Sequence, residues 1–126
     1  MKVFVTGGAG YIGTHTVLEL LRDGHEVCVS DNYRNSSPVA LDRVRRLANA
    51  DFMQCEIDIR DQDTLTQALA DFQPDAVIHF AGLKAVGESS EIPIDYYDNN
   101  VVGSLRLLAA MDAAGCTRIV FSSSAT

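Results

Sequence analysis

The sequence predicts an α/β fold built on a doubly wound parallel sheet, with five strands in the order βαβαβαβαβ. Three observations carry that expectation. Short apolar runs rich in β-branched residues alternate with segments of helical periodicity. Gly7, Gly10 and Gly13 form a G-x-x-G-x-x-G turn between the first run and the first helical segment. An aspartate, Asp31, follows the second run, eighteen residues beyond Gly13.

The elements follow in order. KVFV (2–5) is a short apolar run stopped by TGG, and it reads as a buried strand. Residues 12–22 form a helix with Val17, Leu20 and Leu21 on one stripe and Gly24 past its end. EVCVS (26–30) is a second strand, and DNYRNSSP a loop. Ser37 before Pro38 suits an N-cap and a first helical position, and Leu41, Val44 and Leu47 continue that helix. FMQCEI (52–57) is a third strand. Asp61 can cap the next helix, whose Leu65, Ala68, Leu69 and Phe72 fall at i, i+3, i+4 and i+7. DAVIHF (75–80) is a fourth strand. One long helix spans about 92–113, with Val101, Leu105 and Leu108 on one side and Leu107 and Met111 on a neighbouring one. RIVFSS (118–123) is a fifth strand. No internal repeat, low-complexity segment or interdomain linker interrupts this order.

Bulk properties narrow the function. A length of 126 residues, 47% hydrophobic, suits one domain with its own core. Ten basic residues against seventeen acidic ones give a net charge of -7, which argues against a nucleic-acid partner. Cys28, Cys55 and Cys116 form no C-x-x-C and lie in or beside strands, which suggests reduced thiols in a cytoplasmic protein. The most apolar long stretch, VVGSLRLLAAMDAAG, is broken by Arg106 and Asp112, so no transmembrane helix is expected. The apolar run after Lys2 is too short for a signal peptide and runs into the glycine turn. His15 and His25 have no partners at metal-ligand spacing, so no metal site is expected. His79, ending the fourth strand, reads as a buried, hydrogen-bonded histidine.

The glycine turn carries chemistry. Glycines let backbone N–H groups approach a pyrophosphate, and the last allows close helix–strand packing. The helix N-terminus adds partial positive charge, so phosphate binds without a lysine. Together these indicate a Rossmann dinucleotide-binding fold. Asp31 can accept from both ribose hydroxyls and would repel a 2′-phosphate, which favours NAD over NADP, although Arg34 nearby could serve a 2′-phosphate. Asp58, after the third strand, is placed to reach the adenine, with Ile59 beside the ring.

Longer stretches go further. TGGAGYIG, DNYRNS, Asp58-Ile59, HFAGLKAVGES at 79–89, YYDNNVVGSLRLL at 96–108 and FSSSAT at 121–126 together resemble the UDP-glucose 4-epimerase family of the extended short-chain dehydrogenase/reductases. The likeness runs over essentially the whole chain. It implies that UDP-galactose and UDP-glucose interconvert by hydride transfer at sugar C4 through a 4-keto sugar, with NAD retained. It also implies cofactor contacts at Tyr11, Ile12, Asp31, Asn32, Asn35, Ser36, Asp58, Ile59, Phe80, Ala81, Gly82, Leu83, Lys84 and Asn99, beside Gly7, Gly10 and Gly13 of the turn. Ser124 matches the serine that hydrogen-bonds the reacting hydroxyl, so Lys84 and Ser124 are also expected to meet the UDP-sugar. A homodimer through the helix at 92–113 and a place in galactose metabolism or polysaccharide-precursor synthesis are further implications. For Tyr96 and Tyr97 on that helix, burial within the monomer is the alternative to the interface.

The family's catalytic Tyr-x-x-x-Lys is not found. Four residues beyond Tyr11, Tyr33, Tyr96 and Tyr97 stand His15, Ser37, Asn100 and Val101. Residues 1–126 are therefore expected to be the NAD-binding Rossmann domain at the N-terminal part of a longer enzyme, without its substrate domain. The chain alone is expected to be inactive, with the fifth strand an exposed apolar edge. Two other readings stay open: a non-catalytic NAD-binding module, and another extended-family sugar-nucleotide dehydratase or reductase. The residues Ser123-Ser124-Ala125, where dehydratases place acidic groups, weigh against the latter.

Overall fold

The computed structural model describes residues 1–123. Its strands are β1 (Lys2–Thr6), β2 (Glu26–Asp31), β3 (Met53–Glu56), β4 (Ala76–His79) and β5 (Ile119–Phe121), all parallel, in the spatial order β3-β2-β1-β4-β5. The chain winds outward one way from β1 through β3, then returns to β4 on the other side. The reversal between β1 and β4 opens a crevice beyond their C-terminal ends, where ligands of such sheets bind.

Period-two alternation divides the core. Phe4, Cys28 and Val77 pack on one face beneath α3 (Gln62–Phe72) and α6 (Gly103–Ala114), against Leu65, Leu69, Leu107 and Met111. Val3, Val5, Val27 and Val29 pack on the other, beneath α1 (Tyr11–Arg22) and α2 (Pro38–Ala48), against Val17, Leu41 and Val44. The expected caps form: the Ser37 hydroxyl accepts from the Val39 N–H (3.3 Å) and the Asp61 carboxylate from the Thr64 N–H (3.2 Å). The three cysteines are free thiols, two of them fully buried.

Three details differ from expectation. Leu47 continues the periodicity of α2, yet it is exposed near the helix end, past the reach of the sheet. In β3, an edge strand, Met53–Glu56 carry little burial, and the apolar anchoring comes from the flanking Phe52 and Ile57. The helix expected over 92–113 is not one helix. A short α4 (Val86–Glu91) ends at Ile92, whose φ of −127° and ψ of 60° leave the helical region. Pro93, without an N–H, starts α5 (Pro93–Tyr97). A π-turn at Asp98–Val102 then leads into α6.

Burial separates the two apolar sides of that segment. Leu107 and Met111 are in the core, whereas Val101, Leu105 and Leu108 are exposed. Tyr96 is buried and Tyr97 exposed. At the sheet edge, β5 leaves Val120 60% and Phe121 62% exposed.

Candidate functional site

The glycine turn is shaped by contacts that exclude side chains. The Gly7 N–H donates to the Ser30 carbonyl (2.7 Å), and Gly7 takes a left-handed φ of 67°. A Cβ on Gly7 would lie 2.6 Å from the Ala81 nitrogen, so β1's end and the segment after β4 approach backbone to backbone. A Cβ on Gly13 would strike the Gly7 carbonyl oxygen and come within 2.7 Å of Gly8 Cα. The N-terminus of α1, capped by Gly10 with no side-chain acceptor, therefore sits directly against the turn.

Asp31 ties this turn to the loop after β2. One carboxylate oxygen accepts from the Ala9 N–H (3.0 Å); the other accepts from the Tyr33 N–H (2.9 Å) and the Ser36 hydroxyl (3.0 Å). Tyr33 itself has a left-handed φ of 56°, a strain that Asp31 helps to hold.

These elements enclose a cleft at the sheet's C-terminal edge. Of the residues named from the sequence, Gly7, Gly10, Asp31, Asn32, Asn35, Ser36, Ile59, Phe80, Ala81, Gly82, Leu83 and Asn99 line it. Ser30, Arg34 and Ile57 line it as well, of which only Arg34 drew attention beforehand. Tyr11 and Ile12, at the start of α1, are exposed; Gly13 lies buried behind the turn; Lys84 is exposed beyond Leu83. Ser124 lies outside the described residues.

Asp58 stands between the lining residues Ile57 and Ile59, with its carboxylate committed elsewhere. It accepts from Arg60 through the backbone N–H (2.9 Å), Nε (2.9 Å) and Nη2 (2.7 Å), and from Asn32 Nδ2 (3.4 Å). Arg60's hydrogen bonds hold the Asp58 carboxyl down at about 2. Arg60 Nη1 also donates to Asp98 (2.8 Å), which joins the β3 end of the cleft to the start of the π-turn. Arg34 pairs with Asp95 of α5 at 3.6 Å, across the opposite rim.

Beneath the floor runs a directed chain of hydrogen bonds. The Ser104 hydroxyl donates to the Asn100 carbonyl (2.6 Å), so it must accept from His79 Nε2 (2.9 Å). His79 Nδ1 then accepts from the Thr6 hydroxyl (2.6 Å), which in turn accepts from the Ala81 N–H (3.3 Å). This assigns the Nε2–H tautomer. His79 is 2% exposed, and burial, with Lys84's charge nearby, pushes its pKa down to about 4. The expected buried, hydrogen-bonded histidine is what the structure holds. On the other rim, the Tyr96 hydroxyl donates to Glu88 (2.9 Å) and accepts from the Ala85 N–H (3.2 Å), and burial raises its pKa.

Sequence reasoning missed Thr6, Arg60, Asn100 and Ser104, each of which has at least one partner far along the chain: His79 for Thr6 and Ser104, Leu83 for Asn100 and Asp98 for Arg60. Among the described residues, no group of three or more His, Cys, Asp or Glu could hold a metal ion, and no helix is long and apolar enough to cross a membrane.

The cleft fits a dinucleotide on this structure's own terms. A cradle that a single Cβ would fill faces a helix N-terminus, a carboxylate is fixed at the end of β2, and Ile57 and Ile59 supply an apolar wall. A model of the NAD dependent epimerase/dehydratase family matches residues 3–126. A UDP-glucose 4-epimerase of Klebsiella pneumoniae is 54% identical over 126 residues, covering 100% of this chain and 91% of that protein. A UDP-glucose 4-epimerase of Bacillus subtilis is 52% identical, and there the match covers only 37% of that protein. Other relatives of this kind are also matched over about a third of their length. The crystal structure of a UDP-glucose 4-epimerase from Bifidobacterium longum in complex with NAD+ and UDP superposes with a TM-score of 0.96 at 50% identity, covering 99% of this chain and 37% of that one. A Stenotrophomonas maltophila UDP-glucose-4-epimerase with bound NAD and formylated UDP-arabinopyranose gives 0.97 at 46% identity, over 99% and 37%. The chain belongs to the NAD dependent epimerase/dehydratase family.

Proposed function

We propose that this chain is the NAD-holding part of a UDP-glucose 4-epimerase, which interconverts UDP-galactose and UDP-glucose. The observation that carries this reading is the Gly7–Ala81 backbone approach beside the Asp31 tether, which bars a side chain from the turn and sets its backbone beside a fixed carboxylate, as a pyrophosphate and its ribose require. When bound, NAD supplies a hydride acceptor and donor for sugar C4.

The chain's own residues bind and orient. Free N–H groups at the start of α1 meet the pyrophosphate, and Gly7, Gly10 and Gly13 keep side chains out of its way. Asp31 has both oxygens fixed by its loop, and Oδ2, which accepts only from Ala9, keeps a lone pair for a ribose hydroxyl. Its negative charge disfavours a 2′-phosphate, and the Arg34–Asp95 pair engages the cation that such a phosphate would need. Ile57 and Ile59 wall the base, and Asn32 and Asp58 brace that wall. Lys84 and Ser124 are proposed to meet the UDP-sugar, and the proton from the reacting hydroxyl goes to a Tyr-x-x-x-Lys tyrosine outside this chain. The apolar side bearing Val101, Leu105 and Leu108 suits a homodimer interface, and a cytoplasmic setting accords with three free thiols.

The test has two parts. NAD titrated into the purified chain should bind, with NADP binding more weakly; absence of NAD binding overturns the reading. The same chain given UDP-galactose should not produce UDP-glucose, and substantial turnover would overturn the placement of the proton acceptor elsewhere.

A further inference from the structure

The segment after β4 forms one wall of the cleft, yet residues 80–85 belong to no helix or strand. Its near end is held by Thr6, whose carbonyl accepts from the Phe80 N–H (3.0 Å) and whose hydroxyl accepts from the Ala81 N–H (3.3 Å). Its far end is held by the Tyr96 hydroxyl, which accepts from the Ala85 N–H (3.2 Å), and its middle by one side chain. Asn100 Oδ1 accepts from the Leu83 N–H at 2.8 Å, and Asn100 Nδ2 donates to the Leu83 carbonyl at 2.8 Å. A side-chain amide thus pairs with both backbone groups of one residue, as a neighbouring strand would.

The amide's orientation is determined. Oδ1 also accepts from Asn99 Nδ2 (2.9 Å), so a flipped amide would set its NH2 against two other donors. Asn100's backbone is fixed too, because its carbonyl takes the Ser104 hydroxyl at the end of the His79 chain. Asn100 does not line the cleft, whereas Asn99, Gly82 and Leu83, which it touches or adjoins, do.

The geometry points to Asn100 as a positioning residue: its amide clips Leu83 so that the 81–84 wall is preset for the dinucleotide, and this fixes how tightly NAD is held. The inference rests on the nucleotide reading above. Asn100→Asp keeps the shape and the two acceptor contacts, loses the donor to Leu83's carbonyl, and sets oxygen against oxygen. A part-buried carbonyl left unpaired in the binding wall should weaken NAD by about tenfold.

The experiment is calorimetric titration of NAD into the unsubstituted protein and N100D, with amide hydrogen exchange read at Leu83 and at β1. Support is a roughly tenfold weaker N100D, faster exchange at Leu83, and unchanged protection across β1. Equal affinity with unchanged Leu83 exchange overturns the inference, while NAD binding by the unsubstituted protein still upholds the nucleotide reading. If the unsubstituted protein binds no NAD, both fall. Should N100D not fold, the unsubstituted protein decides alone. No backbone acceptor serves the Leu83 N–H among the described residues. Strand-like protection there supports the clip, and free-loop exchange overturns it.

Discussion

Acidification should destabilise this protein through His79. The ring is buried between Thr6 and Ser104, with Nδ1 already an acceptor and Nε2–H already a donor. A second proton on Nδ1 would face the Thr6 hydroxyl, which must then turn its own hydrogen elsewhere. The folded pKa is about 4 against an ordinary value of 6.5. The unfolded chain therefore binds the proton first, and stability falls as pH drops from 6.5 toward 4 and levels off below. Linkage over that interval gives a loss of about 2–3 kcal/mol between pH 7.5 and 4.5, a large share of a small domain's stability. Asp58 acts in a separate window: its depressed pKa of about 2 contributes stability that is present above 3.8 and lost below it. Urea unfolding at pH 7.5, 6.5, 5.5 and 4.5, for the unsubstituted protein and His79→Gln, isolates the histidine. The variant should start less stable, having lost a buried acceptor for Thr6, and its loss of stability across the window should be smaller by about 2–3 kcal/mol. Parallel slopes for the two proteins would refute the reasoning.

Other perturbations separate the remaining roles. Gly13→Ala drives a methyl into the Gly7–Gly8 backbone, which cannot yield; it should cost about 1–3 kcal/mol and abolish NAD binding, and calorimetry showing ordinary affinity would contradict the cradle. Asp31→Ala frees the Ala9 and Tyr33 N–H groups and the Ser36 hydroxyl. NAD affinity should fall, and its preference over NADP should shrink, as read by parallel titrations. Arg60→Gln breaks an exposed bridge from Asp58 to Asp98, so stability should drop by only about 0.5–1 kcal/mol, less at high salt. Val120→Lys, on the exposed β5 edge, should reduce concentration-dependent association in sedimentation without lowering the thermal midpoint.

The five parallel strands, the glycine turn, and the Ser37 and Asp61 caps were legible because each is a local matter. Period-two and 3.6-residue patterns, turn residues and caps act within a few positions along the chain. The same locality misled at 92–113, where apolar spacing alone predicts one helix. Pro93 was a visible break signal, but the π-turn at Asp98–Val102 leaves no compositional mark. Leu47 shows a related limit, since periodicity says which face a residue shares and not how far the sheet extends beneath it.

Fold class, family and the segments that make the cleft follow from the amino-acid order alone, because motif residues must stand where the backbone turns. How those segments hold one another is set by the folded arrangement. Thr6, His79, Ser104 and Asn100 come from β1, β4, α6 and the π-turn, and they meet through side-chain hydrogen bonds. Asp58 looks free to reach a base until Arg60 closes on it from two residues away and carries the link to Asp98, thirty-eight residues further on. Polar partnerships of that kind have no period. They depend on which ends of distant elements arrive together, and the packing of both faces of the sheet sets that.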